Sequence, residues 1–111
     1  MAEGRQALDR GRASKAIPPL EQAVALNPSG EDALNLLGRA YLNKEQGKKA
    51  VTIADRALAL NPRNPDAYLV KGTAEQMLGN KGAAKSAYGE YLKLAPHGKD
   101  AADVRAILPS L

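Results

Sequence analysis

Apolar residues recur along the chain at the spacing of an α-helix, with polar residues between them. The pattern is clearest in the middle third, where leucine, alanine and tyrosine follow one another at intervals of three or four positions. Such intervals place side chains on one face of a helix. We predict that this face forms the core between two paired helices and consists of Leu34, Leu37, Tyr41, Ala54, Ala57 and Leu58.

The same pattern repeats every 34 residues. Pro28, Pro62 and Pro96 close the similar stretches AVALNP, ALALNP and YLKLAP. Other residues with this period are Gly4, Gly38 and Gly72, then Ala16, Ala50 and Ala84, then Leu26, Leu60 and Leu94. A glycine inside a helix costs up to about 1 kcal/mol, so its recurrence indicates a close approach of two helices. A period of 34 residues is typical of helix–turn–helix units that stack on one another, and it directs the search for function to a surface.

Turn-forming and capping residues divide each repeat into two helices. Glycine and asparagine tolerate positive φ, and they predict turns at residues 11–14, 44–47 and 79–81. Helix starts are predicted at Ser29 and Asn64, because such side chains accept hydrogen bonds from the first backbone N–H groups of a helix. Three helical hairpins result.

Two segments depart from this regular arrangement. Pro18 and Pro19 lie beyond the first turn of a helix that would begin near Ser14, so that helix either starts later or bends. After the last repeat, residues 100–108 are predicted to form a helix that covers the end of the third unit. Its apolar positions are Ala102, Val104 and Ile107 or Leu108.

The middle unit, residues 31–64, resembles a tetratricopeptide repeat. It contains LNLLGRAY and KAVTIADRALALNP, and its matches to the family pattern are Leu34, Leu37, Gly38, Tyr41, Ala50, Ala57 and Pro62. The resemblance implies an all-α fold, a right-handed α-solenoid of about three helix-turn-helix repeats with a C-terminal capping helix. The repeats are expected at residues 1–30, 31–64 and 65–98 of a single domain, with the capping helix at 99–111.

The two outer units match the family pattern less completely. The third keeps Tyr68, Gly72, Gly79, Ala84, Tyr88 and Pro96, but Lys71 and Glu75 replace large apolar residues, so its first helix is expected to pack less tightly. The first unit lacks the opening turn of its first helix and keeps Gly4, Leu8, Gly11, Ala16, Leu20, Ala23 and Pro28. Terminal repeats normally carry a polar capping face. We therefore expect a fragment of a longer protein, the alternative being a short protein with a frayed start.

Composition narrows the possible functions. The chain has 111 residues, enough for one domain, and no cysteine, which excludes disulfides and thiolate metal sites. Because no apolar run approaches the roughly 20 residues of a membrane span, we expect a soluble chain without membrane insertion. A chain without cysteine suits both the cytoplasm and the periplasm, and we favour the cytoplasm. The 16 basic and 12 acidic residues are spread along the sequence, so nucleic-acid binding is not expected.

No combination of residues in the sequence indicates catalysis. His97 follows Pro96 in a predicted turn and has no neighbouring partners for a metal or general-base role. Asp100 and Asp103 share one helical face, but two carboxylates alone make a poor cation site. The glycines follow the repeat period and form no phosphate-binding loop. We predict a protein that is not an enzyme and that uses no cofactor and no metal.

In tetratricopeptide repeat proteins, the first helix of each pair lines a concave face that usually receives an extended peptide or a partner helix. The resemblance therefore implies a protein-interaction module. Its inward-facing candidates are Arg5, Leu8 and Asp9 in the first unit, Asn35, Leu36, Arg39, Leu42 and Asn43 in the second, and Leu69, Val70, Thr73, Gln76 and Met77 in the third. Side-chain amides bond a peptide backbone, and arginines bind carboxylates. The alternative is ordinary solvated or buried residues, which we favour for Leu36 and Val70.

The resemblance also bears on the choice of ligand. Chaperone-binding members of the family hold a C-terminal carboxylate in a clamp of Lys, Asn and Arg, but the matching positions here are Met1, Arg5, Leu36, Asp66 and Val70. An Hsp70 or Hsp90 tail is therefore not the expected ligand. The leading hypothesis is an adaptor for another protein or peptide partner. The alternatives are a homo-oligomer that stacks through the uncapped first unit, and a targeting segment of a larger enzyme.

Overall fold

The computed structural model describes residues 10–111, which form α-helices joined by short turns, with no strand in that range. The α-helices are α1 (Arg10–Leu26), α2 (Glu31–Asn43), α3 (Gly47–Leu60), α4 (Pro65–Met77), α5 (Lys81–Leu94) and α6 (Ala101–Ile107), and a 3-10 turn follows at Leu108–Ser110. Each of these helices packs on the next, and α2 also contacts α4. The fold is an all-α helical-repeat solenoid, as predicted.

The core predicted in the middle unit is confirmed. Leu34 and Ala57 are fully buried, and the other predicted members are nearly so, except that Leu58 is partly buried at the edge of the cluster. Ala50 and Ile53 of α3 also belong to this cluster, and residues from neighbouring helices complete it, namely Val24, Ala67, Val70 and Ala74. The middle helical pair therefore shares its core with the helices on both sides, as stacking of repeats requires.

A second cluster holds the C-terminal end together. It is built on Tyr88 and Tyr91 of α5, against which Ala101 and Val104 of α6 are buried. The helix predicted at residues 100–108 is therefore present, but its buried alanine is Ala101, and Ala102 is exposed. The reason is the three-residue interval between Ala101 and Val104, which puts both side chains on the face toward the tyrosines.

Helix α1 differs from the prediction in its first residues. Residues 11–14, predicted as a turn, lie inside α1. An apolar stripe explains this, since Val24 belongs to the cluster of the middle unit, Ile17 and Leu20 pack on that cluster, and Ala13 on the same face of α1 is buried. Pro18 and Pro19 also lie inside α1, and both are exposed. The carbonyl groups that they leave without an N–H partner belong to Ser14 and Lys15, both of which are exposed residues.

The predicted turns at residues 44–47 and 79–81 are present, but only one of them has the expected backbone. Gly79 has φ of 83°, as predicted for a glycine that follows a helix, whereas in the other turn the positive φ of 59° belongs to Glu45. Gly47 has a different role, because a Cβ atom there would lie 3.1 Å from the side chain of Leu78. This glycine allows the two turns to approach each other.

Of the two predicted helix starts, Asn64 is confirmed. Its Oδ1 atom accepts a hydrogen bond of 3.1 Å from the backbone N–H of Ala67, as an N-terminal cap does. Helix α2 begins instead after Gly30, without a side-chain cap, and has Glu31 and Asp32 in its first turn. These carboxylates lie near the positive end of the helix dipole.

The contact between α4 and α5 is close on one face and open on the other. A Cβ atom on Gly72 would lie 2.7 Å from the ring of Tyr88. On the open face, Lys71 and Glu75 line a shallow depression between the two helices. Lys71 reaches instead toward α3, where its Nζ atom lies 2.8 Å from Oδ1 of Asp55. The looser packing expected at Lys71 and Glu75 is therefore confined to that face.

A hydrogen bond between Tyr41 and Glu21 connects α2 to α1. The Tyr41 hydroxyl donates to Oε2 of Glu21 at 2.5 Å, and Nζ of Lys49 lies 5.7 Å from the centre of the Tyr41 ring. Burial raises the pKa of Tyr41 from 10.0 to about 12, and the hydrogen bond and negative charge of Glu21 act in the same direction. The neutral phenol is thus the form that the folded protein stabilises.

We expect the contribution of Tyr41 to stability to disappear at alkaline pH. Because its pKa is higher in the folded protein, this contribution is complete below the ordinary value of 10.0 and is lost as the pH rises through about 12. Urea unfolding across this interval should show a larger loss of stability for the wild type than for Tyr41→Phe, which has no phenol proton. Equal losses in both proteins would assign the effect to other groups.

Candidate partner-binding surface

The close approach of α2 and α4 creates one continuous surface from equivalent residues of two repeats. A Cβ atom on Gly38 would lie 2.9 Å from Cγ1 of Val70, so the two helices touch there. The exposed residues of α2 are thereby brought beside those of α4. We call this the α2/α4 surface, and it consists of Leu36, Arg39, Asn43, Thr73, Gln76 and Met77.

Apolar and polar groups are mixed on the α2/α4 surface. Leu36 is 39% exposed and Met77 is 43% exposed, so both offer apolar side-chain surface to a partner. Asn43 and Thr73 are half-buried, and Gln76 is exposed. An extended peptide needs this combination, because apolar side chains hold its anchors and amides bond its backbone.

Arg39 supplies a positive charge to the α2/α4 surface. Its Nη2 atom lies 3.8 Å from Oδ1 of Asp66, and both side chains are partly exposed, at 28% and 51%. An exposed pair at this distance is weak, typically below about 1 kcal/mol. The planar guanidinium has five N–H donors. It therefore retains donors for a second carboxylate.

The amide of Gln76 is held in place by a buried tyrosine. The Tyr88 hydroxyl donates to Oε1 of Gln76 at 2.8 Å and approaches Oγ1 of Thr73 at 3.3 Å. Thr73 in turn donates to the backbone carbonyl of Leu69 at 2.9 Å. Burial raises the pKa of Tyr88, which keeps its donating proton in place. Because Gln76 accepts through its oxygen, its NH₂ group stays directed to another acceptor.

Asn35 is engaged within the protein itself. Its Oδ1 atom accepts from Nδ2 of Asn64 at 3.0 Å, and its own Nδ2 donates to Oδ1 of Asn64 at 3.3 Å. Asn64 is only 4% exposed, the one buried polar side chain in the part of the chain described. This amide pair fixes the position of α2 relative to the start of α4, so Asn35 has a structural role in the free protein.

The remaining candidates divide between core positions and residues outside the described range. Val70 is 2% exposed, and Leu69 packs on the second cluster, which assigns both to the interior. Leu42 lies at the edge of the first cluster. The burial expected for Leu36 is wrong, because its side chain is 39% exposed and no described helix covers that part of α2. Arg5, Leu8 and Asp9 lie outside the described residues.

Sequence reasoning missed a polar depression where α2 and α4 begin. Its side chains are linked by the Asn35–Asn64 pair and by a hydrogen bond of 3.0 Å from Nδ2 of Asn61 to Oε1 of Glu31. The repeated LNP stretch was its signal, since Asn61 lies in it. No group of three or more His, Cys, Asp or Glu side chains among residues 10–111 is arranged to hold a metal ion. The depression is therefore part of the inter-repeat contact.

Comparison with known families agrees with this arrangement of stacked hairpins. One family model described as Tetratricopeptide repeat matches residues 37–109, and a second with the same description matches residues 1–65. The chain belongs to the tetratricopeptide repeat family. Domains of this family are generally non-catalytic interaction modules. In the described part of this tetratricopeptide repeat chain, no helix has the length and apolar character to cross a bilayer.

Solved tetratricopeptide repeat domains share the fold. The TPR domain of Arabidopsis OM64 superposes with a TM-score of 0.85 at 24% identity, covering 96% of this chain and 88% of that one. The second TPR domain of human RPAP3, in complex with an HSP70 peptide, gives 0.82 at 22% identity, covering 97% and 90%. At these identities the similarity establishes the fold alone.

A closer sequence match is short. Cellulose synthase operon protein C of Escherichia coli strain K12 is 55% identical over 40 residues, which is 36% of this chain and 4% of that protein. The chain thus spans a very small part of the length of this relative. The match is therefore local, and no property of that protein as a whole is carried over to this chain.

Proposed function

We propose that this tetratricopeptide repeat chain is a protein-interaction module that binds a peptide segment of a partner on the α2/α4 surface. The observation that carries the proposal is the exposure of Leu36 and Met77 on two touching helices, together with polar groups that have unused hydrogen-bonding capacity. The RPAP3 neighbour, which holds an HSP70 peptide, supports peptide binding as a use of this fold.

The chemistry of the surface defines the segment that fits it. Leu36 and Met77 accept apolar side chains, and the unbranched, flexible methionine adapts to several shapes. Asn43 and Gln76 bond backbone groups of the segment, and Arg39 binds a carboxylate. The proposed ligand is therefore a short segment with apolar side chains and at least one acidic residue. The missing carboxylate clamp argues against a requirement for a free C-terminus.

We expect the double variant Arg39→Glu, Asn43→Ala to lose binding while keeping its fold. Peptides selected by wild-type protein from a displayed random library serve as probes, and their affinities are measured by fluorescence anisotropy. Reversing one charge and removing one amide should weaken the binding of acidic peptides by about tenfold or more. Circular dichroism spectra should coincide, because both side chains are only partly buried and neither belongs to a core cluster.

The matched control is the double variant Arg56→Glu, Thr52→Ala on the exposed face of α3. It makes the same change in charge and truncates a small polar side chain away from the α2/α4 surface. Control and wild type should bind the selected peptides equally. Equal loss in both double variants, or selection of no peptide at all, would remove the α2/α4 surface from consideration.

A further inference from the structure

Seven of the sixteen basic residues gather at one edge of the solenoid. All seven are exposed. Some lie in or beside the turns that join α2 to α3 and α4 to α5, and the others lie in the first half of α1. We call this set the basic edge, and it consists of Arg12, Lys15, Lys44, Lys48, Lys49, Lys81 and Lys85. Along the sequence these residues are widely separated. Only the fold brings them together.

The topology explains this clustering. Helices joined by short turns run antiparallel, so α1, α3 and α5 run in the same direction and begin at the same side. Two successive turns adjoin at Gly47 and Leu78. A Cβ atom on Gly47 would lie 3.1 Å from the side chain of Leu78. Lys48 and Lys49 follow Gly47 directly, and Lys81 begins α5 just beyond the second turn.

Among the described residues, packing contacts engage one charge of the basic edge, that of Lys49, whose Nζ atom lies 5.7 Å from the centre of the Tyr41 ring. The ion pairs found between described residues are Arg39–Asp66, Lys71–Asp55 and Lys93–Glu90, and none of them includes a residue of the edge. Helix dipoles do not explain it either, because at each turn the end of one helix meets the beginning of the next. Like charges at this density repel one another and destabilise the compact state. A partner of opposite charge removes that repulsion.

Acidic side chains are sparse at this edge. Segments 12–15, 44–49 and 81–85 contain a single acidic residue, Glu45, so acidic residues outnumber basic ones in the rest of the chain. Glu75 borders the edge and accepts a hydrogen bond from Asn80. One large apolar side chain lies among the lysines, since Leu78 is 38% exposed beside Gly47. The edge therefore combines positive charge with an apolar contact.

We propose that the basic edge binds an acidic protein segment that carries an apolar side chain among its carboxylates. The lysines attract the carboxylates, and Leu78 contacts the apolar side chain. This surface lies outside the α2/α4 surface, and the proposal does not depend on the function proposed above. It differs as well from the interpretation of the sequence alone, in which the charged residues are spread along the chain and not collected into a block.

Other polyanions fit the edge less well. Single-stranded nucleic acids stack on exposed aromatic side chains, but Tyr41, Tyr88 and Tyr91 are buried, and Tyr68 is half-buried. Six of the seven residues are lysines, which lack the planar fork that recognises phosphate. A bilayer surface requires a broad apolar face for insertion, whereas the large apolar side chain that lies among the lysines is that of Leu78.

The test measures binding of a fluorescent synthetic peptide of alternating Glu and Asp with one central Leu. In low-salt buffer, we expect Lys48→Glu, Lys81→Glu to weaken this binding by about tenfold or more. Both reversals place carboxylates in the first turns of helices, where they are well tolerated, and matching thermal melts check the fold. Leu78→Ser should weaken binding of this acidic peptide by several-fold. Binding of a peptide that has the same charge but no Leu should be unaffected.

The control is Arg63→Glu, Lys99→Glu, which changes the net charge equally at the opposite edge of the solenoid, where α3 joins α4 and α5 joins α6. It should reduce binding far less than the basic-edge variant. Equal reductions would mean that net charge alone attracts the peptide, and the proposal would be abandoned. Tighter binding of duplex DNA or of phosphatidylserine vesicles, with the same dependence on Lys48 and Lys81, would assign the edge to those partners and overturn the proposal.

Discussion

Replacement of Tyr88 by alanine is expected to unfold the C-terminal end of the solenoid while the middle repeat stays folded. Tyr88 is 1% exposed and heads the largest fully buried side chains among the described residues. Truncation of a buried aromatic side chain to alanine costs roughly 3 to 5 kcal/mol. A domain of this size has a total stability of about 5 to 15 kcal/mol, so the loss is a large fraction of what holds the fold.

The local character of the expected unfolding follows from the two-cluster core. Tyr88 belongs to the cluster of α5 and α6, whereas Leu34, Leu37 and Ile53 belong to the other cluster. In a solenoid, stability is close to a sum over repeats and their contacts with neighbours. Hydrogen exchange should therefore show lost protection in α5 and α6, with α2 and α3 still protected. Uniform loss along the chain would show that the two clusters unfold as one unit.

Tyr88→Phe is the matched control for this truncation. It keeps the ring against Gly72 and removes only the hydroxyl that bonds Gln76 and Thr73. Its destabilisation should be near 1 kcal/mol, roughly the usual net value of one hydrogen bond. The same variant frees the Gln76 amide to rotate, so it should also weaken peptide binding on the α2/α4 surface modestly.

The sequence predicted the regular part of the fold well because two independent patterns agree there. In the middle unit, the helical spacing of Leu34, Leu37 and Ala57 and the 34-residue period indicate the same helices, and the structure buries all three. Asn64 was identified for a local reason, since its side chain caps the next helix three residues on. Where short-range chemistry determines the structure, the sequence alone is sufficient.

The errors arose where distant contacts outweigh local preference. Residues 11–14 contain glycine and serine, yet burial of Ala13 in the stack keeps them helical. A turn can also place positive φ on a residue that rarely adopts it, as Glu45 does. The exposure of Leu36 likewise depends on which helices lie over α2, and spacing along one helix does not contain that information.

The candidate sites show the same limit. Asn35 was selected as a peptide-binding residue, but its partner Asn64 is 29 positions away, and their pairing appears only in three dimensions. Basic residues that are spread along the chain form a basic edge because α1, α3 and α5 begin at the same side of the solenoid. Corresponding parts of successive repeats lie side by side in space. Basic residues should therefore be counted over the corresponding part of each repeat, rather than along the chain, to find such a surface.

Gly38→Leu is expected to separate α2 from α4 and to destabilise the protein by roughly 1 to 3 kcal/mol or more. Even the first added atom, Cβ, would lie 2.9 Å from Cγ1 of Val70, closer than side-chain carbons pack. Val70 is 2% exposed and β-branched, so it has few alternative rotamers. The gain in helix propensity on replacing glycine, up to about 1 kcal/mol, is too small to offset this overlap. Thermal and urea unfolding measure the difference.

Two further variants separate this overlap from other effects of the substitution. Gly89→Ala adds a Cβ atom on α5 where no atom lies within 4 Å, so it should leave the protein equally or more stable. Val70→Ala removes the methyl groups that the leucine introduced at position 38 would meet, so the double variant should be more stable than the sum of the two single changes predicts. Strict additivity would mean that α2 and α4 are not in contact at this point. Because the α2/α4 surface exists only while these helices touch, Gly38→Leu should also abolish peptide binding under conditions in which the variant is still fully helical.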